Sequence, residues 1–223
     1  MLADVPMFAD IGGYLSSPSN RDKVVGLLGE HIVLAVAPLL IGLAVAVPLG
    51  CAAQRVRWIR PALLGTSSVL YTVPSLALFV IMPGILGTRI LDGVNVVVAL
   101  ALYTTALLVR PVVDALDAVP GHLVAAATAM GYRPVRRFVA VELPIAISVL
   151  AAGVRVASAS NISLVSVGAF IGIGGLGQLF TEGFQTRYPA PIVIGIVTIL
   201  ALALAMDLLL VGLRWAGTRW ERA

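Results

Sequence analysis

Long apolar stretches separated by short polar ones set the pattern of this chain. A helix crossing a hydrocarbon core of roughly 30 Å needs about 20 mainly apolar residues, and its backbone polar groups must be satisfied within the segment. Five stretches meet that demand: Ile32 to Ala53, Leu63 to Met82, Val94 to Val109, Ile145 to Val167 and Ile192 to Leu213. The third is the shortest. The pattern therefore predicts an all-α membrane protein of about five transmembrane helices. Residues 1–30 carry Asp4, Asp10, Arg21, Asp22 and Lys23 and lack the basic start, apolar run and small-residue cleavage site of a signal peptide. They are expected to be retained as an extracytoplasmic, interfacial segment. Residues 31–213 then form the membrane domain and 214–223 a cytoplasmic tail.

Composition agrees with a lipid solvent. Of 223 residues 60% are hydrophobic and 12% charged, against the roughly 25% charged of an ordinary soluble domain, and the mean hydropathy is +1.03. A water-soluble globule is excluded. The single cysteine, Cys51, permits no internal disulfide and no thiolate metal cluster, so helix packing must hold the fold. A net charge of +4 would suggest nucleic acid in a soluble protein, but the basic residues sort by loop. Ten fall on one side (Arg55, Arg57, Arg60, Arg110, Arg133, Arg136, Arg137, Arg214, Arg219 and Arg222) and four on the other (Arg21, Lys23, Arg89 and Arg187). The positive-inside rule then puts the N-terminus outside and the C-terminus in the cytoplasm, and no nucleic-acid partner is needed to explain the charge.

The longest connection on the basic side, about 117–144, predicts a helix of its own. Pro120 stands near its first turn, the run from His122 to Met130 is Ala-rich, and Gly131 sits in the terminating position. About ten residues are too few to span a bilayer. Leu123, Ala127 and Met130 recur at helical spacing beside the small Ala126, giving a narrow apolar ridge flanked by Arg133, Arg136 and Arg137. By physics alone this is either an interfacial helix on anionic lipid heads or a docking helix.

Ala125-Ala126-Ala127, then three residues, Gly131, nine residues, and Val141-Glu142-Leu143-Pro144 resemble the EAA loop of the membrane subunits of bacterial binding-protein-dependent ABC importers. Ala125 replaces the name-giving Glu and Val141 replaces Ile, so an ion pair at the first position is not implied. Glu30 to Leu34, Val47 to Gly50, Tyr71 to Ala77, Gly153 to Arg155 and Ala169 to Gly177 are similar to the osmoprotectant permeases, which import glycine betaine, carnitine, choline and proline. The likeness covers about residues 30 to 213. It implies a type I ABC importer-like permease fold in the bacterial cytoplasmic membrane, with the short helix inserted into a groove on a cytoplasmic ATPase subunit. Leu123, Ala126, Ala127, Met130, Gly131, Leu143 and Pro144 are then the ATPase-coupling residues. A second membrane permease subunit, identical or related, and an extracytoplasmic solute-binding protein are the other implied partners besides the lipid bilayer. Methionine or another amino acid, carried by the same machinery, is the alternative cargo.

Other residues bear on chemistry. Gly172, Gly174 and Gly177 satisfy Gly-x-Gly-x-x-Gly, but this run leaves a span instead of joining a strand to a soluble helix, so close helix approach or a re-entrant backbone is expected in place of a dinucleotide site. Pro74 in the second span frees carbonyls beside Tyr71, Thr72 and Ser75, giving either a kinked, path-lining helix or a packing kink. Tyr71, Phe79 and Tyr103 offer aromatic faces that would attract a quaternary ammonium, with lipid or core contact as the alternative. Arg155, well inside the fourth span, must avoid lipid and is expected to turn inward, with Ser158, Ser160, Asn161 and Ser163 just beyond it. Arg155 and Asn161 join the path candidates. Asp207 is shallow enough to snorkel or to pair with a neighbouring Arg, while Glu142 is explained by the positive terminus of the fourth span.

Neither His31 nor Cys51 has partners at metal-ligand spacing, so no metal and no cofactor is expected. There is no Gly-x-x-x-x-Gly-Lys-Ser/Thr, so the chain is not expected to be an enzyme that hydrolyses ATP through a P-loop. A secondary transporter is the distant alternative, but five spans with few ionisable groups do not divide into equal repeats. An intramembrane enzyme lacks its catalytic constellation.

Overall fold

The computed structural model describes residues 11–218. Asp4, Asp10, Arg219 and Arg222, with the outer parts of segments 1–30 and 214–223, lie outside the described residues. Ten α-helices follow one another among the described residues: α1 (Ile11–Ser16), α2 (Pro18–Arg55), α3 (Arg60–Tyr71), α4 (Ser75–Leu86), α5 (Gly93–Asp117), α6 (Gly121–Ala129), α7 (Pro134–Arg137), α8 (Leu143–Val167), α9 (Gln178–Thr186) and α10 (Pro189–Gly217). A π-helical turn, Phe138–Glu142, leads into α8, and two short 3₁₀ turns, Gly168–Ile171 and Gly175–Gly177, link α8 to α9.

Four continuous stretches are long and apolar enough to cross a membrane: Pro18–Arg55, Gly93–Asp117, Pro134–Ile171 and Pro189–Gly217. Counting α3 and α4 together gives five. The second expected span is thus corrected from one kinked helix to two helices with a break. Pro74, which has no N–H to donate, is not inside a helix at all. It takes an extended conformation (φ −61°, ψ 126°) and caps the N-terminus of α4, while Thr72 closes α3. The other helices outrun their apolar cores. α2 begins at Pro18 and passes through Glu30 without a break, because Leu27 and Leu34 keep a buried face while Arg21, Asp22 and Lys23 stay exposed or half-exposed. α5 continues past Val109 through Pro111 to Asp117, since Val112, Val113, Ala115 and Leu116 prolong its buried face.

The chain divides into two compact units. The first takes residues 11–38, 74–100 and 159–205, with a core built on Tyr14, Leu27, Leu176, Leu179, Ala190 and Ile194. The second takes residues 39–73, 101–158 and 206–218, with a core that includes Leu39, Ala46, Leu108, Val109, Val112, Leu116, Ala146 and Leu150. Small residues let its helices touch. A Cβ added at Gly50 would come within 2.4 Å of Val112 Cγ1, and one at Gly153 within 2.6 Å of Pro111 Cβ. In lipid, where apolar burial between helices gains little over contact with acyl chains, such close backbone approach supplies the packing attraction.

Candidate functional site

The short helix α6 is built as its sequence reads. Pro120 caps its start in an extended conformation, and Leu123 N–H donates to the Pro120 carbonyl at 3.0 Å. At its end Gly131 adopts φ +80°, the left-handed conformation that glycine reaches without penalty. Gly131 N–H donates to Thr128 O (3.0 Å) and Tyr132 N–H to Ala127 O (3.1 Å), the paired bonds of a Schellman cap. The expected ridge is split, however. Ala127 is 1% exposed and turns inward with half-buried Val124, which packs on the core of the second unit. Ala127 therefore does not belong to the outward stripe. The outward stripe is Leu123 (37% exposed), Ala126 and Met130 (69% exposed), spaced three and four apart along one helical face. Leu143 and Pro144 open α8 and are not on this stripe.

Behind α6 lies a charged hub that the sequence reading missed. Arg137 Nε donates to Glu142 Oε1 at 2.7 Å, and Arg137 Nη1 donates to Thr128 Oγ1 at 2.9 Å. Thr128 Oγ1 in turn donates to the Val124 carbonyl at 2.7 Å. Glu142, read from sequence as a charge at a helix terminus, is 5% exposed and held by this pair. The available signal was the pairing of opposite charges five residues apart. An α-helix keeps such residues on different faces, whereas the π-helical turn, closed by Leu143 N–H to Phe138 O, draws them together. The Arg136 guanidinium lies over the Tyr132 ring at 4.6 Å from its centre, pinning the residues that follow the cap.

The path candidates divide between the units. In the second, the half-exposed Tyr71 ring meets buried Tyr103 edge-on, with centres 5.9 Å apart, and the Tyr103 hydroxyl donates to the Val73 carbonyl. Thr72 Oγ1 donates back to Val69 O at 2.7 Å, so its hydroxyl serves the helix end. In the first, Pro74 and Ser75 open α4, and Phe79 is wholly buried. That removes Phe79 from the aromatic candidates and leaves Tyr71 as the exposed one.

Arg155, expected within the fourth span, is paired with a counter-charge. Its Nε and Nη2 donate to the two carboxylate oxygens of Asp207 at 2.5 and 2.7 Å, a bidentate pair across α8 and α10. Asp207 is thus the partner of Arg155 and not a snorkelling group, and the expected inward turn is corrected to an ion pair whose two side chains stay 40% and 36% exposed on the described chain. Asn161, expected on the path, is 2% exposed, and its Nδ2 donates to the Ala35 carbonyl of α2 at 3.3 Å. That places it in helix packing.

A second missed feature is His31, wholly buried in the first unit. Leu176 N–H donates to its Nδ1 at 3.3 Å, so Nε2 carries the proton and donates to the Ile162 carbonyl at 3.0 Å. The glycine run supplies the close approach anticipated for it. A Cβ on Gly175, itself at φ +47°, would stand 2.7 Å from His31 Cβ, and one on Gly168 only 2.0 Å from Ile173 O. Near the end of this unit Lys23 pairs with Glu182 at 2.8 Å. Tyr14 hydroxyl also reaches Glu182, and burial together with that carboxylate raises the Tyr14 phenol above its ordinary pKa. Among the described residues no group of three or more His, Cys, Asp or Glu side chains could hold a metal ion.

Apolar helices of membrane-crossing length, with a short helix in a connecting loop, have the make-up of a multi-pass membrane protein. Residues 39–214 match the family described as binding-protein-dependent transport system inner membrane component, and the chain belongs to that family. It is 33% identical over 194 residues to the osmoprotectant import permease protein OsmW of Salmonella typhimurium, covering 86% of this chain and 90% of that one. It is 30% identical over 192 residues to the choline transport system permease protein OpuBB of Bacillus subtilis, covering 86% and 87%. Among solved structures, the MetNI methionine ABC transporter in an inward facing conformation aligns with a TM-score of 0.62 at 25% identity, over 90% of this chain and 94% of that chain. The fold is that of type I ABC importer permeases, and the chain is a multi-pass component of the cytoplasmic membrane.

Proposed function

We propose that this chain is the membrane-spanning permease subunit of an ATP-driven importer for osmoprotectants such as glycine betaine, choline, carnitine or proline. The observation that carries the coupling part is the capped helix α6, with Leu123, Ala126 and Met130 presented outward and Gly131 fixed at its end. These residues dock the cytoplasmic ATPase subunit, which binds and hydrolyses ATP that this chain itself does not. ATP binding closes two such subunits, α6 moves with them, and the membrane domains switch between inward- and outward-facing states. An extracytoplasmic solute-binding protein delivers the cargo, and a second permease subunit, identical or related, completes the path. The orientation follows the arginines: N-terminus outside, C-terminus and α6 in the cytoplasm. Residues 31–213 form the transport domain, with the coupling loop at about 117–144.

The solute class is supported by the names of the relatives, and the fold likeness to a methionine transporter favours methionine as the second reading. Uptake of radiolabelled glycine betaine at high salt, in cells with and without this gene and with choline, carnitine, proline and methionine as unlabelled competitors, separates them. Betaine uptake lost on deletion and restored by the intact chain supports the proposal. Unchanged betaine uptake with loss of methionine uptake transfers the assignment to the amino acid.

A further inference from the structure

The docking reading says where force enters the membrane subunit but not how it reaches a membrane-spanning helix. The chain between α6 and α8 is poorly suited to carry it. After α6 come Met130, Gly131 in a left-handed conformation and two residues outside any helix, so a displaced α6 meets a joint at 130–133 before the continuous helical stretch Pro134–Ile171 that contains α7 and α8. A side-chain route bypasses that joint through the contact of Arg137 with Thr128. Arg137 offers a planar fork of donors: one arm holds Thr128 on α6 and the other holds Glu142, the residue before α8. Both contacts are short, and with the Arg137 and Glu142 side chains 22% and 7% exposed the charged arm is shielded from competing water and salt, while the Thr128 arm lies at the surface. The polarity of the Thr128 contact is also fixed. Its hydrogen goes to Val124 O, which leaves its lone pairs to accept from the guanidinium. The π-helical turn that brings Glu142 within reach is a backbone irregularity of a kind often found at functional positions.

Resting on the proposed docking of α6, we infer that Arg137 is a positioning residue that transmits the movement of α6 to α8 through Thr128 and Glu142. Charge alone does not suffice for this. A lysine would neutralise Glu142, but as a point donor on a flexible stem it lacks the planar fork that holds both partners in one geometry.

The test uses the complete transporter, with its ATPase and receptor, in liposomes. Radiolabelled glycine betaine is the probe, or whichever competitor replaces it in the uptake experiment above, and the readout is solute imported per ATP hydrolysed. Thr128→Val removes the accepting hydroxyl while keeping the side-chain shape. It is expected to lower that ratio about fivefold, the scale of one lost hydrogen bond, with ATPase still co-purifying. Thr128→Ser, which keeps the hydroxyl, restores the ratio, and Arg137→Lys lowers it as Thr128→Val does. A ratio unchanged in both Thr128→Val and Arg137→Lys overturns the inference. So does a lower yield of complex whose surviving molecules keep the native ratio, because that is a purely structural role. The docking reading is tested separately by Leu123→Asp: retained ATPase association and uptake would remove it, whatever the ratio measurements give.

Discussion

Two joints in this chain carry opposite chemistry. The turn 168–177 of the first unit contains no charged side chain and is held by backbone approach and by neutral hydrogen bonds through His31. The loop 120–144 of the second unit is held by the Arg137–Glu142 pair, the Thr128 hydroxyl and a cation over Tyr132. The first has no room for a Cβ at Gly168, Gly174, Gly175 or Gly177, whereas nothing lies within 4 Å of one added at Gly121 or Gly131 in the second. There Gly131 is required for its φ of +80° instead, and the polar contacts need their donors and acceptors. A glycine contact at van der Waals distance admits one geometry. A charged fork can follow a moving helix while keeping its partners, which suits the displacement proposed for α6.

The comparison is broken most severely by volume in the first joint. Gly168→Ala would set a Cβ 2.0 Å from the Ile173 carbonyl oxygen, which no side-chain rotation relieves. A loss of more than about 3 kcal/mol is expected, read as absence of folded chain from the membrane. Gly65→Ala in α3, with nothing within 4 Å of the added atom, should leave abundance unchanged. Next comes His31→Ala, which leaves the Leu176 N–H buried without its acceptor at a cost of roughly 1–3 kcal/mol, seen as a lower melting midpoint in detergent. In the second joint Glu142→Gln keeps the shape and an acceptor oxygen but removes the charge, so about 1–2 kcal/mol is expected. The smallest effect belongs to Asp117→Asn. Its pair with Arg60 at 2.7 Å is exposed on both sides, so the change should be under about 1 kcal/mol, and added salt should erase it. If Asp117→Asn cost as much as Glu142→Gln, shielding of the Arg137 hub would not be what distinguishes it.

Much of the fold was legible because apolar runs of membrane length leave few alternatives to a helix. The bounded loop helix was legible for a local reason, with Pro120 and Gly131 punctuating an Ala-rich run. What escaped was whatever depends on contacts distant in sequence or on irregular backbone. The ridge of α6 was drawn one position too wide because periodicity gives spacing but not which neighbouring stripe meets the core, so Ala127 was placed outward. The break at Pro74 could be read as a kink from sequence, since both outcomes follow from a missing N–H. Arg155 announced that it needed a partner, yet Asp207 lies 52 residues away. His31 looked ordinary because its partners are the main chain of Ile162 and Leu176. The Arg137–Glu142 pair hid behind a five-residue spacing that only a π-helical turn makes productive.

The most direct test of the central claim, that the outward stripe of α6 meets the ATPase, is site-directed cross-linking in the assembled transporter. With Cys51→Ala as background, single cysteines are introduced by Met130→Cys on the exposed stripe and Val124→Cys on the inward face, and cross-links to the ATPase subunit are measured with and without ATP. The account predicts a strong product at position 130 that changes with ATP, and little at 124. No product at position 130 in an actively transporting complex, or equal yields at both positions, would contradict it.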